Sequence, residues 1–168
     1  MIVLNIKLTT LELVRYNDNY KMLLDDFNGE SSSKFISQIE QRLENNMNNN
    51  KNFFQSAFVV LDSSMPVGYV FISNNKKDEV FLEYSVLKKI RGKGYGRKII
   101  NELSEFLFFN YNIKSVKLDI DPSNKNSIYV AECCGFVLDE EEYEDRNYIG
   151  NMVFIKENEY YISKRKSK

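Results

Sequence analysis

The chain has 168 residues, 43% of them hydrophobic and 28% charged, which is enough apolar surface to close one core and too short for an ordinary second domain. Lys and Arg total 23 against 24 Asp and Glu, a formal net charge of -1, so no global field draws the chain onto nucleic acid or an anionic membrane. Histidine is absent, which excludes Ser-His and Cys-His nucleophiles and the commonest zinc ligand and leaves acid-base work to carboxylates, Tyr, Lys, Ser or water.

Met1 to Leu13 are interrupted by Asn5, Lys7 and Glu12 and lack the continuous apolar run of a signal peptide or membrane span. The adjacent Cys133 and Cys134 cannot staple distant segments, so the expected setting is a reducing cytoplasm and a single domain over residues 1–168. Leu11, Leu13 and Arg15 alternate with Glu12, Val14 and Tyr16, which predicts a first strand. Asn17 or Asp18 then caps a helix carrying Tyr20, Leu23, Leu24 and Phe27, and Asn28-Gly29 ends it. Ser31 to Ser33 cap a second helix with the stripe Phe35, Ile36, Ile39 and Leu43, and the Asn-rich stretch from Asn45 to Asn52 reads as a loop.

Three strand-like runs follow, Ser56 to Leu61, Val67 to Ile72 and Val80 to Val86, joined by Asp62 to Pro66 and Ser73 to Asp78, whose Ser, Pro, Asn and Asp suit turns. This is an antiparallel meander. A basic, glycine-punctuated loop from Lys88 to Gly96 leads into a long helix with Ile99, Leu103, Phe106 and Leu107 on its buried face. Ser115 to Ile120 alternates Val116, Leu118 and Ile120 as a strand, a helix runs from about Asn126 to Cys134, and Gly135 stops it. Phe136 to Leu138 and Asn151 to Ile155 are the last two strands, joined by the acidic segment Asp139 to Asp145, read as a solvated hairpin connection. A strand-helix-strand crossover after a meander implies an α/β chain of the α+β type whose sheet is mixed, parallel at the crossover and mostly antiparallel elsewhere.

The informative segment is Val86 to Lys98. Gly92, Gly94 and Gly96 stand at alternate positions before a helix, so the backbone can turn successive N–H groups inward. The helix N-terminus adds unpaired N–H groups and a positive dipole end, and Arg91, Lys93, Arg97 and Lys98 add charge, a combination suited to a pyrophosphate. The bland alternative is a tight strand-to-helix turn with solvated basic residues. A P-loop would need Ser or Thr after Gly92-Lys93, where Gly94 stands, and a dinucleotide fingerprint would need its first Gly directly after the strand, where Lys88 to Arg91 intervene.

Arg91-x-x-Gly94-x-Gly96 resembles the Arg/Gln-x-x-Gly-x-Gly/Ala signature with which GNAT acetyltransferases bind the pyrophosphate of coenzyme A. Downstream, Asn124-x-x-Ser127 with Ala131-Glu132 and Gly135-Phe136 is similar to a segment of the branch that includes ribosomal-protein N-terminal acetyltransferases. The resemblance implies a GNAT fold with about six to seven strands, helices on both faces and a splayed parallel strand pair that holds the cofactor. It also implies acetyl-CoA as donor and a primary amine as acceptor, whether a small-molecule amine, a polyamine or a peptide or protein N-terminus. The implied cofactor residues are Tyr84, Ser85 and Val86 along the pantetheine arm, Arg91, Gly92, Lys93, Gly94, Tyr95, Gly96 and Arg97 around the pyrophosphate, and Asn124 and Ser127 near the pantetheine. A homodimer is frequent among proteins that resemble this one, and nucleic-acid, membrane and metal partners are not expected.

Acetyl transfer to an amine needs a base, a donor for the developing oxyanion and a proton for the thiolate. Asp119 and Glu83, each interrupting an apolar strand, are the base candidates, against the alternative of ordinary solvated carboxylates. An N–H near Val86 is the expected oxyanion donor. Many family members have a Tyr four residues before the Gly of the Gly-Phe pair, where this chain has Ala131, so Ser127 or water is the expected acid, with Tyr129 as a lesser candidate. Cys133 and Cys134 read as buried small residues. Were the acidic segment to border the acceptor cleft, it would favour a cationic acceptor. The missing Tyr also leaves open a non-catalytic module that binds acyl-CoA as a sensor or interaction domain.

Overall fold

The computed structural model describes residues 5–20, 23, 41 and 53–166. The expected helices around Tyr20 to Phe27 and Phe35 to Leu43, and the Asn45 to Asn52 loop, lie outside the described residues apart from a 3-10 turn, Asp18–Tyr20, and the positions of Leu23 and Gln41. The strands are β1 (Ile6–Lys7), β2 (Glu12–Arg15), β3 (Gln55–Asp62), β4 (Met65–Lys76), β5 (Glu79–Val86), β6 (Ser115–Ile120), β7 (Val137–Leu138) and β8 (Met152–Glu157). They hydrogen-bond in the order β1-β2-β3-β4-β5-β6-β8-β7, with β5 and β6 parallel and β6 and β8 antiparallel. The α-helices among the described residues are α1 (Tyr95–Tyr111), α2 (Lys125–Cys133), α3 (Glu140–Asp145) and α4 (Glu159–Lys166).

The chain packs as two compact units, residues 1–72 with 84–95 and residues 73–83 with 96–168. In the first, β2 pairs with β3 from Glu12↔Leu61 to Arg15↔Phe58, and Val14, Val59 and Leu61 form an apolar cluster against which Tyr16, Tyr20 and Leu23 pack. The β3–β4 turn is Ser63-Ser64, with φ of 49° and 68°, the doubly left-handed geometry that matches strand twist in a tight hairpin. Gly68 in β4 lies so close to β5 that a Cβ there would stand 2.1 Å from the Ser85 carbonyl oxygen. Only glycine permits that approach.

In the second unit, β6 buries Val116, Leu118 and Ile120, and β5 buries Val80 and Leu82. Ile99, Ile100, Leu103 and Leu107 make the buried stripe of α1, each worth about 1.5–3 kcal/mol of burial. Asn112, at φ 56°, ends that helix in the left-handed conformation Asn tolerates. Helix α2 ends in a Schellman motif: Gly135 at φ 82° donates its N–H to the Glu132 carbonyl and Phe136 donates to the Ala131 carbonyl, with Phe136 buried behind it.

Four elements differ from the expectation, one of them α4, which follows β8 where no element was expected. The acidic connection is a helix, α3, because the Asp139 carboxylate caps it by accepting from the Glu142 N–H at 3.2 Å while Glu140, Glu141 and Glu142 sit at the positive dipole end. Strand β4 runs on to Lys76 through Ser73 to Asn75, so the hairpin turn narrows to Lys77-Asp78. Strand β1, two residues long, brings the count among the described residues to eight, one more than alternation alone reveals.

Candidate active site

Strand alternation puts Glu79, Phe81 and Glu83 of β5 on one face, and Ser115, Lys117 and Asp119 of β6 on one face. The parallel register runs Glu79↔Ser115, Val80↔Val116 and Phe81↔Lys117, while β5 continues to Val86 and β6 to Ile120. Lys117 Nζ lies 5.9 Å from the Phe81 ring, so these two side chains share a face. Glu83 and Asp119 each stand one same-face position beyond that pair, and both are exposed.

Asp119 is not isolated. Its Oδ2 accepts from Arg146 Nη1 at 3.1 Å, Arg146 Nη2 donates to Glu142 Oε1 at 2.9 Å, and the other oxygen of Glu142 accepts from Lys117 Nζ at 2.8 Å. Lys117 also reaches Glu79 and Asp139, both at 3.1 Å, and only 5% of it is exposed. Burial works against its charge, but the hydrogen bonds it donates to Glu142, Asp139 and Glu79 outweigh it and hold the ammonium well above the ordinary lysine range. The bond from Lys117 holds the Glu142 carboxyl below its usual range against opposing burial, with Arg146 assisting, and the bond to Asp119 raises Arg146. Sequence reasoning missed this chain of charges. The signal was a lysine inside an apolar strand, which needs partners, and the Glu142–Arg146 spacing of one helical turn.

The glycine loop leaves β5 through a 3-10 turn, Lys88–Ile90, and Arg91 folds back so that its Nε donates to the Val86 carbonyl at 3.0 Å. Gly92 and Gly94 adopt φ of 78° and 86°, and a Cβ at either would meet nothing within 4 Å. The demand for glycine there is conformational, not crowding by neighbouring protein, so the space beside the loop can admit a ligand. Arg91, Lys93 and Arg97 are exposed, and Tyr95 opens α1 with its hydroxyl donated to Asp62 Oδ2 at 3.1 Å. Tyr84, Ser85 and Val86 are half-buried at the end of β5.

Asn124 is the N-cap of α2, its Oδ1 accepting from the Ser127 N–H at 3.1 Å, so the Asn-x-x-Ser pair has a capping role that needs no ligand. Ser127 is half-buried. Tyr129, two residues further along α2, is 58% exposed and its ring carries the Arg97 guanidinium at 5.1 Å. A cleft of about 560 Å³ lined by Asn101, Cys133, Gly135, Lys156 and Glu159 among others contains none of the candidate catalytic or cofactor-binding residues.

Residues 11–137 match the model of the acetyltransferase (GNAT) domain. The chain belongs to the GNAT acetyltransferase family. Its fold is similar to that of RimL, a ribosomal L7/L12 alpha-N-protein acetyltransferase solved in complex with coenzyme A, at 11% identity, with 92% of this chain and 98% of that one covered and a TM-score of 0.70. It is similar to the ribosomal-protein-S5-alanine acetyltransferase of Vibrio fischeri at 18% identity, with 92% and 97% covered and a TM-score of 0.66. It is similar as well to the N-acetyltransferase PseH of Campylobacter jejuni in complex with acetyl coenzyme A, at 12% identity, with 88% and 98% covered and a TM-score of 0.66. No curated protein matches the sequence.

This GNAT chain departs from the common pattern at Ala131, which is fully buried in the packed face of α2. Of the two cysteines expected inside, Cys134 is buried and Cys133 is exposed, because the face carrying Ala131 and Cys134 turns inward while Glu132 and Cys133 between them point out. Burial raises the Cys134 thiol pKa, the reverse of what activates a nucleophile. Among the described residues no helix is long and apolar enough to cross a membrane, and no group of His, Cys, Asp or Glu could hold a metal ion.

Proposed function

We propose that this protein transfers an acetyl group from acetyl-CoA directly to a primary amine, borne by a small molecule, a polyamine or a peptide or protein N-terminus. The observation that carries the reading is the pair of left-handed glycines, Gly92 and Gly94, with open space at both Cβ positions, immediately before α1 and flanked by Arg91, Lys93 and Arg97. When bound, acetyl-CoA supplies the acetyl group as an activated thioester. The N–H groups of Gly92 to Gly96, with Arg91, Lys93 and Arg97, would hold its pyrophosphate, with the dipole of the helix that begins at Tyr95 favouring that charge. The backbone of Tyr84, Ser85 and Val86 would line the pantetheine arm, and Asn124 and Ser127 would be further contacts to the cofactor.

Asp119, ahead of Glu83, takes the proton from an acceptor that arrives as ammonium. The shared chemistry of the two positions supports this role: both carboxylates are exposed and neither is consumed in the core. Ser127 Oγ, or water, returns a proton to the leaving sulfur, and an N–H near Val86 stabilises the developing charge on the acyl oxygen.

A second reading is an acyl-CoA-binding module without turnover. Ala131 fills the place of the acid with a buried methyl group, and Arg146 already engages Asp119, both of which favour it. Thermal unfolding with added coenzyme A tests the cofactor assignment common to both readings. The melting temperature of the wild type should rise with ligand concentration. Gly94→Asp, which places a side chain and a negative charge at the left-handed position, should abolish the shift. An equal shift in that variant would overturn the loop assignment.

A further inference from the structure

Tyr129 projects from α2 with more than half its surface in water, an arrangement that burial does not explain. Its ring faces the guanidinium of Arg97, 5.1 Å from the centroid. The backbone of the same arginine is held by the same helix end, because Cys134, which is 5% exposed, donates its Sγ–H to the Arg97 carbonyl at 3.7 Å. Arg97 is thus fixed by α2 at its main chain and at its side chain. No carboxylate pairs with it among the described residues, although ion pairs take up Lys117, Lys156 and Arg146. A ring beneath a guanidinium occupies its face and leaves the N–H donors around its edge available to an anion.

We propose that Tyr129 is a cofactor-positioning residue: its ring holds the Arg97 guanidinium in place for a phosphate of coenzyme A. The inference rests on the reading of Arg91 to Arg97 as the cofactor loop and adds a residue outside that loop. It also gives Tyr129 a role in which the ring matters and the hydroxyl does not, the opposite of what a general acid requires.

Isothermal titration with coenzyme A and with 3′-dephospho-coenzyme A, on the wild type, Tyr129→Phe, Tyr129→Leu, Arg97→Gln and the Tyr129→Leu/Arg97→Gln double variant, tests this. Tyr129→Phe should bind coenzyme A within about twofold of the wild type. Tyr129→Leu should bind about two- to fivefold more weakly, the scale of an exposed cation–π contact. Arg97→Gln should lose about tenfold or more, as expected for a charge-assisted phosphate contact. The double variant should be no weaker than Arg97→Gln, since the ring acts only through the arginine. Loss of the Tyr129→Leu effect with the dephospho ligand would identify the 3′-phosphate as the contact, and its persistence would identify the pyrophosphate. Wild-type affinity in Tyr129→Leu, a loss in Tyr129→Phe equal to that in Tyr129→Leu, wild-type affinity in Arg97→Gln, or full additivity in the double variant would each overturn the inference. Failure of the loop reading has a different signature, an unchanged thermal shift in Gly94→Asp.

Discussion

Lys117→Met keeps the length and apolar stem of the side chain and removes a charge that three carboxylates share at 2.8, 3.1 and 3.1 Å. The lysine side chain is 6% exposed, and those of Glu79, Asp139 and Glu142 are 14%, 15% and 29% exposed, so water can solvate the orphaned carboxylates only in part. At an effective dielectric of about 20, each contact near 3 Å carries roughly 5 kcal/mol of attraction before desolvation is subtracted. Removing one partner of such a buried group typically costs about 3–5 kcal/mol, because the remaining charges lose their compensation. Urea unfolding at neutral pH should therefore show a loss of about 3–5 kcal/mol, a large part of the roughly 5–15 kcal/mol a domain of ordinary stability has. A Lys117→Met/Glu79→Gln/Glu142→Gln variant should regain more than half of that loss, since two of the stranded charges are gone. A single variant within about 1 kcal/mol of the wild type, or a triple variant no better than the single, would refute the argument.

Gly68→Ala should cost at least about 1–3 kcal/mol in the same assay, because its Cβ would meet the Ser85 carbonyl oxygen at 2.1 Å; a change below about 0.5 kcal/mol would contradict the close approach of β4 and β5. Glu142 has a lowered folded-state pKa, so the folded protein binds fewer protons there than the unfolded chain. Its stabilising contribution is present above the ordinary carboxylate pKa and is lost as pH falls through the depressed value, so Glu142→Gln should flatten the acid limb of the stability–pH curve; an acid limb unchanged from the wild type would contradict this. Asp119→Asn should lower turnover at neutral pH by roughly ten- to a hundredfold with coenzyme A affinity nearly intact, and unchanged pH–rate profiles in both Asp119→Asn and Glu83→Gln would remove the carboxylates from the mechanism.

Strands β3, β5 and β6 were legible because each alternates or runs apolar between turn residues, and Ser115–Ile120 matches the expected bounds at both ends. The far end of β4 was not, since Ser73, Asn74, Asn75 and Lys76 carry turn chemistry and are held in the strand by its partners instead of by their own preference. Helix α4 has little apolar periodicity in Glu-Tyr-Tyr-Ile-Ser-Lys-Arg-Lys, and α3 hid behind an acidic run whose helical order comes from the Asp139 cap. The glycine loop was readable because the requirement is local: a left-handed backbone calls for glycine wherever it occurs. The charges around Lys117 were not, because their partners arrive from β5, the cap of α3 and α3 itself, brought together only by tertiary pairing. The same holds for Arg97 and Tyr129, on separate helices.

Thiol release from acetyl-CoA, measured with the purified protein against a panel holding spermidine, an aminoglycoside and peptides with free N-termini, distinguishes a transferase from a binding module. Release should require an amine, match acetylated product one for one, rise with pH as the ammonium loses its proton, and disappear in Gly94→Asp. A protein whose melting temperature responds to coenzyme A but which releases no thiol above the amine-free rate with any member of the panel would contradict the assignment as a transferase and leave the acyl-CoA-binding module in its place.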